Sequence, residues 1–419
     1  MTDMLNSDLF GLVDGNNFYC SVERVFDPRL HGKPVVVASS NDGCVIARSQ
    51  ESKDLGVKMG EPLHLIDKSV RKQLIVRSAN FGLYGDVSGR VVDVLRGLFP
   101  AVEVYSIDES FVAFDGIKDV RTTALEARAR ILKWTGIPTC VGIGPTKTLA
   151  KAGNKLAKKT SHGVVRIQRK HLLKYPLEDV WGVGPRWCAR LNQDGLLTAA
   201  DLASSDPETI KARYGVVLLR TLKELNGVSC AELEEVEPQR QQIIVSRSFG
   251  QHVTTHQELS EALATFAVRA CEKLRARSLK ANGVWVWANT NAFKVGVKQY
   301  HPSVALNLPI ATSDTRQILD VAQALLKQVY RDGYAYKKCG IGLLDLMDSD
   351  VEQGDLFAAQ PPRQSQALMS VLDAANAKFG RGAMGFASSG WRKQETWAVK
   401  RENLSPAYTS DWKQLMRVR

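Results

Sequence analysis

Apolar and polar positions in the first part of the chain change period several times. Residues 9–14 and 35–38 are short apolar runs with strand character, the second ending at the turn-forming Asn41-Asp42-Gly43. Between them, residues 17–25 read as a helix. Residues 102–107 and 111–114 predict two more strands about an Asp108-Glu109 bend, residues 120–134 an amphipathic helix, and residues 139–143 a further strand. The order strand, helix, two-stranded hairpin, helix, strand predicts a split βαβ sheet with helices on one face. In such a sheet Asp14 and Asp108 fall on neighbouring strands and point the same way.

The pattern then becomes helical over residues 176–235, where Gly182 and Gly184 sit in Val180-Trp-Gly-Val-Gly-Pro-Arg186 ahead of a short helix. Helix, Gly-x-Gly turn, helix is the helix-hairpin-helix arrangement, in which backbone N–H groups and a helix N-terminus approach a phosphate closely. The same glycines also serve as a plain inter-helix turn. A Glu-rich stretch at 232–237 and a polar linker at 239–242 come next. Beyond them, strands at 243–249, 283–289, 304–308 and 339–346 alternate with helices at 256–279 and 314–331. That order predicts two helices on a four-stranded sheet. From Ser349 the chain is polar and carries prolines, which predicts an extended segment. The fold class is therefore α+β and multidomain.

Composition narrows the setting. No run reaches the roughly 18 apolar residues that a membrane helix needs, and Asp3 and Asp8 break any signal-peptide pattern, so a cytoplasmic protein with no membrane partner is expected. Seven scattered cysteines without a Cys-x-x-Cys pair support neither a disulfide framework nor a zinc site. The net charge is +12, and residues 127–177 hold twelve Lys or Arg and no Asp or Glu. Nucleic acid is the natural counter-charge. Lys147, Lys151 and Lys155 recur every four residues on a predicted helix, a like-charge spacing that costs a few tenths of a kcal/mol per pair unless a polyanion lies against it. A solvated basic face is the plainer reading of the same lysines.

The chemistry rests on three acids. Asp14, Asp108 and Glu109, brought within a few ångströms in a partly buried setting, repel one another and require cations. Oxygen-only ligands select hard ions, which points to Mg2+, with Mn2+ able to substitute. Two such ions about 3.5 to 4 Å apart serve in-line phosphoryl displacement, the chemistry of nucleotidyl transfer. Strand-end acids are also common as solvated turn residues, so the joint pattern carries the argument.

That joint pattern resembles the Y-family of translesion DNA polymerases, in its UmuC branch. It comprises Asp14-Gly-Asn-Asn-Phe-Tyr-Cys-Ser-Val-Glu23, Tyr-Ser-Ile-Asp-Glu at 105–109, Val-Gly-Ile-Gly-Pro-Thr-Lys-Thr-Leu-Ala-Lys at 141–151, and Gly-Cys-Val-Ile-Ala-Arg with Leu-Gly-Val-Lys-Met-Gly between 43 and 60. The resemblance implies a right-hand polymerase, with a split βαβ palm at 1–29 and 81–175, small fingers at 30–80 and a helix-hairpin-helix thumb at 176–238. An α/β little finger at 239–348 and a tail at 349–419 complete it.

The implied activity is error-prone, template-directed bypass of damaged DNA in the SOS response. Asp14, Asp108 and Glu109 become the catalytic metal ligands. Tyr19 becomes the steric gate that rejects a ribose 2′-OH, although a core aromatic is the simpler role for it and for Phe18. Phe18, Tyr19, Arg48, Lys53 and Lys158 become nucleotide-binding, with Gln50 standing where many relatives carry an aromatic and Lys53 where they carry Arg. Lys147, Lys151, Lys155, Gly182 and Gly184 become DNA contacts. Small residues Ser39, Ser40, Gly43 and Ala47 suggest loose enclosure of the nascent pair.

Gln353, Leu356 and Phe357 are similar to the short peptide that docks on the bacterial sliding clamp. Trp391, Trp397, Tyr408 and Trp412 suit either a partner surface or a small packed subdomain. The UmuC resemblance further implies a cleaved UmuD-type dimer and a RecA filament as partners, besides primer-template DNA and dNTPs. Two rivals share the features: a DNA-binding accessory protein with an inactive polymerase-like fold, and a two-metal nuclease or nucleotide cyclase.

Overall fold

The computed structural model describes residues 9–234, 240–294, 296–351, 365–380, 382–389 and 397–415. Two compact units result: one runs to Pro238 and takes the chain up again from Glu402, the other is Gln239–Arg401. All seven cysteines are free, and no described helix is long and apolar enough to cross a membrane.

In the first unit β1 (Phe10–Gly15) leads into α1 (Phe18–Phe26). A small sheet follows, from β2 (Val35–Ala38), β3 (Val45–Arg48) and β4 (Ile75–Ser78), with α2 (Gln50–Asp54) and α3 (Lys68–Arg71) between β3 and β4. Next come α4 (Phe81–Arg96), β5 (Val102–Val104), β6 (Glu109–Ala113), α5 (Val120–Thr135), β7 (Thr139–Gly144), α6 (Lys147–Ala157) and β8 (Val164–Arg166). The main sheet has the order β5-β6-β1-β7-β8, with β1 central and antiparallel to both neighbours. Side-chain oxygens of Asn80, Asp119 and Thr146 accept from the first-turn N–H groups of α4, α5 and α6, which fixes where each helix starts.

Alternation along β1 decides which side chains meet which helix. Val13 packs with α1, α4 and α5 residues such as Val22, Leu95 and Ile131, whereas Leu12 packs with Phe111 and Ala150 of α6. Helices thus cover both faces of this sheet, not one. The expectation failed because the 147–157 segment follows β7 directly and crosses back on the opposite side from α5. Gly142 makes that crossing possible: a Cβ there would stand 1.9 Å from the Asn154 nitrogen, so only glycine lets α6 lie this close.

The first unit continues through α7 (Arg169–Leu172), α8 (Pro185–Gln193), α9 (Ala199–Ala203), α10 (Pro207–Tyr214) and α11 (Val216–Leu225), which share a separate core around Leu177, Leu191, Leu202 and Leu222. The second unit has β9 (Gln242–Val253), α12 (His256–Arg275), β10 (Leu279–Thr290), β11 (Ser303–Thr312), α13 (Thr315–Val329) and β12 (Tyr336–Asp348). Its sheet runs β11-β10-β12-β9, all antiparallel, with α12 and α13 on one face. A last helix, α14 (Ser365–Phe379), is tied to α12 by the paired Arg275–Asp373 contact at 2.6 and 2.8 Å.

The tail does not form one region. Trp397 enters the core of the second unit against Phe249 and Phe266, while Tyr408 stacks on Phe26 in the first. Trp412 is 89% exposed. Gln353, Leu356, Phe357 and Trp391 lie outside the described residues.

Candidate functional site

Two strand ends bring the acids together. Asp14 stands directly opposite Glu109 in the β1–β6 register, and the Gly15 N–H donates to the Asp108 carbonyl at 2.8 Å. Asp108 lies in the tight turn that joins β5 to β6, where Ser106 Oγ accepts from the Glu109 N–H and donates to Asp108 Oδ1 at 2.7 Å. Because Asp14 shares its face with Leu12, it looks toward α6.

Lysines of α6 and just beyond it meet these carboxylates. Lys158 Nζ donates to Asp14 Oδ2 at 2.8 Å, and Lys151 Nζ lies 3.1 and 3.2 Å from the Glu109 oxygens. Lys151 is also boxed by aromatic faces, 4.3 Å from the Tyr105 ring centre and 5.2 Å from that of Trp181. Burial pushes the Asp14 carboxyl up to about 6; the Lys158 ammonium pulls it back, and Glu109 and Asp108 push it further up.

Among the described residues, no three acidic, His or Cys side chains already stand as a metal cage. Each acid is turned to its own partner: Asp14 to Lys158, Glu109 to Lys151 and Asp108 to Ser106. The donor set nonetheless fits a hard divalent cation. It is all oxygen, it comes from adjacent strand ends, and its most buried member gains its charge only at the expense of desolvation.

A cationic cluster flanks the acids. Lys53 Nζ donates to Asn17 Oδ1 at 2.6 Å, and an Arg48 guanidinium N–H donates to the Val57 carbonyl at 2.6 Å. Burial holds the Lys53 ammonium below its ordinary value, and the nearby positive charges of Arg48 and Lys158 lower it further. Three cations held this close together beside Asp14 make a receptor for a compact polyanion.

Tyr19 is half-buried, its ring stacked on Tyr84 with centres 4.5 Å apart and planes 16° apart. Burial, and then the Asp108 charge, raise its hydroxyl pKa. Phe18 is 4% exposed and belongs to the core, so it is not a nucleotide contact: the first turn of α1 points it under Gly15. Ala47 is likewise 8% exposed within the core and does not line an open cleft.

The basic helix face differs most from expectation. Lys147 is 4% exposed, ion-paired with the buried Glu103 and donating to the Glu232 carbonyl at 2.6 Å, so it is not a DNA contact. Lys155 pairs with Asp179. Four lysines of the acid-free window, Lys147, Lys151, Lys155 and Lys158, pair with acids brought from elsewhere in the chain, and sequence spacing could not show this. Gly182 takes a φ of 91° that side chains rarely adopt, and Gly184 caps the N-terminus of α8. Only a short 3-10 turn, Leu177–Asp179, precedes them in place of a full first helix.

Sequence reasoning missed Glu103, Ser106, Asn17, Trp181 and Tyr84. Ser106 and Tyr105 were legible as neighbours of the acidic pair and Asn17 as a neighbour of Asp14; Glu103, Trp181 and Tyr84 reach the site only through tertiary packing.

Comparison with known proteins identifies the family. The model of the impB/mucB/samB family matches residues 13–155, that of its C-terminal domain residues 240–356, and a domain of unknown function residues 366–418. The chain is 43% identical to the protein UmuC of Salmonella typhimurium, over 98% of this chain and 100% of the relative. It is 25% identical to DNA polymerase IV of Caulobacter vibrioides, over 89% of this chain and 92% of the relative. Among solved structures, a chimeric Y-family DNA polymerase built on Dbh superposes with a TM-score of 0.67 at 21% identity, covering 81% of this chain and 99% of the other.

Proposed function

We propose a site chemistry from one premise: the chain belongs to the impB/mucB/samB family and is a UmuC-branch, Y-family DNA polymerase that carries out error-prone translesion synthesis. Asp14, Asp108 and Glu109 are its metal ligands, and they take a pair of Mg2+ ions for which Mn2+ substitutes. Divalent ions held there supply charge neutralisation of the triphosphate and a lower pKa for the primer hydroxyl. The register of Asp14 against Glu109, with the Asp108 carbonyl bonded to Gly15, is the observation that carries this reading.

The chain's own residues do the rest. Arg48, Lys53 and Lys158 bind the triphosphate, their mutual repulsion relieved by its negative charge. Tyr19, backed by the Tyr84 ring, stands where a ribose 2′-OH would collide. Lys151 balances the Glu109 charge from its aromatic box. Gly182, Gly184 and the N-terminus of α8 grip duplex phosphates without reading sequence, and Lys155, half exposed, exchanges Asp179 for a phosphate. The parts correspond to a palm at 1–29 and 81–175, fingers at 30–80, a thumb at 176–238 and a little finger at 239–348. Gln353, Leu356 and Phe357 dock on the sliding clamp, and a cleaved UmuD-type dimer with a RecA filament activates synthesis.

Primer extension across an abasic site tests the whole reading. The Asp108→Ala protein is expected to lose extension by about a hundredfold to a thousandfold, as removal of a charge-stabilising group does, while still binding primer-template DNA. Extension within tenfold of the wild type would overturn the metal-ligand assignment. The same assay, with and without clamp, UmuD-type dimer and RecA filament, reads each partner separately; no stimulation by one of them removes that partner.

A further inference from the structure

The segment that returns to the first unit at Glu402 seats itself on the two helices that carry the aromatic stack at the nucleotide site. Tyr19 of α1 lies face to face with Tyr84 of α4, and Phe81 packs edge-on to both rings at 6.0 and 6.3 Å. Tyr84 is fully buried and its hydroxyl donates to Glu23 Oε1 at 2.7 Å. The same oxygen accepts from Ser405 Oγ at 3.0 Å. Glu23 is 1% exposed, and among the described residues its carboxylate has, beyond these two hydroxyls, only the Arg77 guanidinium, 3.7 Å from its other oxygen.

Each neighbour of Ser405 touches the same assembly. Asn80, which caps α4 through the Leu83 N–H, donates its amide to Ser405 Oγ at 3.1 Å and to the Ser405 carbonyl at 3.2 Å. Asn403 and Ser78 at the end of β4 exchange hydrogen bonds of 2.9 and 3.0 Å. The Glu402 N–H donates to Asp42 in the turn between β2 and β3 at 3.0 Å. Tyr408 stacks on Phe26, the last residue of α1, with centres 5.1 Å apart and planes 7° apart. One short segment thus holds the C-terminal end of α1, the N-terminal cap of α4 and the carboxylate that fixes the Tyr84 hydroxyl.

We propose that residues 402–408 are a strap that positions the sugar gate, and that Ser405 is its central positioning residue, acting through Glu23 and Tyr84 on the ring of Tyr19. The proposal rests on the reading of Tyr19 as the gate. A collision with a 2′-OH discriminates only if the colliding ring cannot retreat, and Tyr84 is the wall behind it. Fixing that wall with two hydroxyls on one buried carboxylate is a device for rigidity, since a buried carboxylate left with fewer donors must find others by moving. The incoming nucleotide's sugar is therefore read in part by the far end of the chain.

Single-nucleotide insertion by the full-length protein opposite one template base, with deoxyribonucleotide and ribonucleotide in parallel, tests this. Ser405→Ala is expected to raise the ribonucleotide to deoxyribonucleotide ratio of kcat/KM by about threefold to tenfold, the net worth of one ordinary intramolecular hydrogen bond. Ser405→Thr, which keeps the hydroxyl, should retain the wild-type ratio, and primer-template affinity should be unchanged in both. Tyr408→Leu, which loosens the strap without touching the buried carboxylate, should shift the ratio in the same direction and decides the matter if Ser405→Ala does not fold. Tyr19→Ala separates the two layers. If it leaves sugar discrimination unchanged, the gate reading fails. If it opens the gate while Ser405→Ala and Tyr408→Leu keep the wild-type ratio, or slow both nucleotides equally, the strap is overturned and the gate stands.

Discussion

Asp14 is the residue in which the conflict between burial and charge is sharpest. Its ordinary carboxyl value of 3.8 rises to about 6, with desolvation the largest cause. The folded protein therefore binds this proton more tightly than the unfolded chain does, and ionising Asp14 costs stability. Without divalent ions, the Asp14 contribution is greatest below pH 4 and is lost as pH rises toward 6, by roughly 3 kcal/mol at most from two units of displacement. Urea unfolding in chelator at a series of pH values measures it: Asp14→Asn should flatten the profile between these limits. A wild-type profile that rises over the same range would contradict the sign. At this scale the sequence was informative about identity and poor about surroundings. Asp14, Asp108 and Glu109 were marked by their motifs and Lys158 by the family resemblance alone, yet the Lys158 contact with Asp14 joins residues 144 positions apart.

Elements show where pattern reading stops. Most strands and helices near the site occur within a few residues of where periodicity put them, because their apolar faces are read locally. The spacing of Lys147, Lys151 and Lys155 on α6 was also legible, but the acids it meets were not. Each lysine ends on a different acid, Glu103 of β5, Glu109 of β6 and Asp179 before α8, and the helix faces its own protein along that side. The Lys147–Glu103 pair, at 5% and 11% side-chain exposure, is the most enclosed of these. Lys147→Met should destabilise the protein by about 3 to 5 kcal/mol, because Glu103 is left charged without its partner. Adding Glu103→Leu should recover most of that loss. Chemical denaturation of the two variants reads this directly, and a double variant no more stable than the single would show that the pair is not the source of the cost.

At the scale of the whole molecule, the two compact units have separate cores, one built around Leu263, Ile318 and Ile341 and the other spread over the sheets and helices before Pro238. Unfolding should accordingly show more than one transition. Gly340→Val tests this within the second unit, because its first added carbon would meet the Trp287 ring at 2.4 Å and the Ser246 Cβ at 2.5 Å. Calorimetry should find one transition destabilised by about 1 to 3 kcal/mol, the usual cost of overpacking, and the other unmoved; a single transition shifting as a whole would refute independence. The chain's motifs by themselves determined the family, the polymerase chemistry and the elements that bear the acids, since those depend on short, local strings of residue types. Only the tertiary structure decided which charges the lysines answer, that Phe18 is buried within the core while Tyr19 is half-exposed at its edge, and that Ser405 shares a carboxylate with Tyr84. The physical reason is that a side chain's partner across a fold is chosen by packing between distant segments, and such distance leaves no period in the sequence.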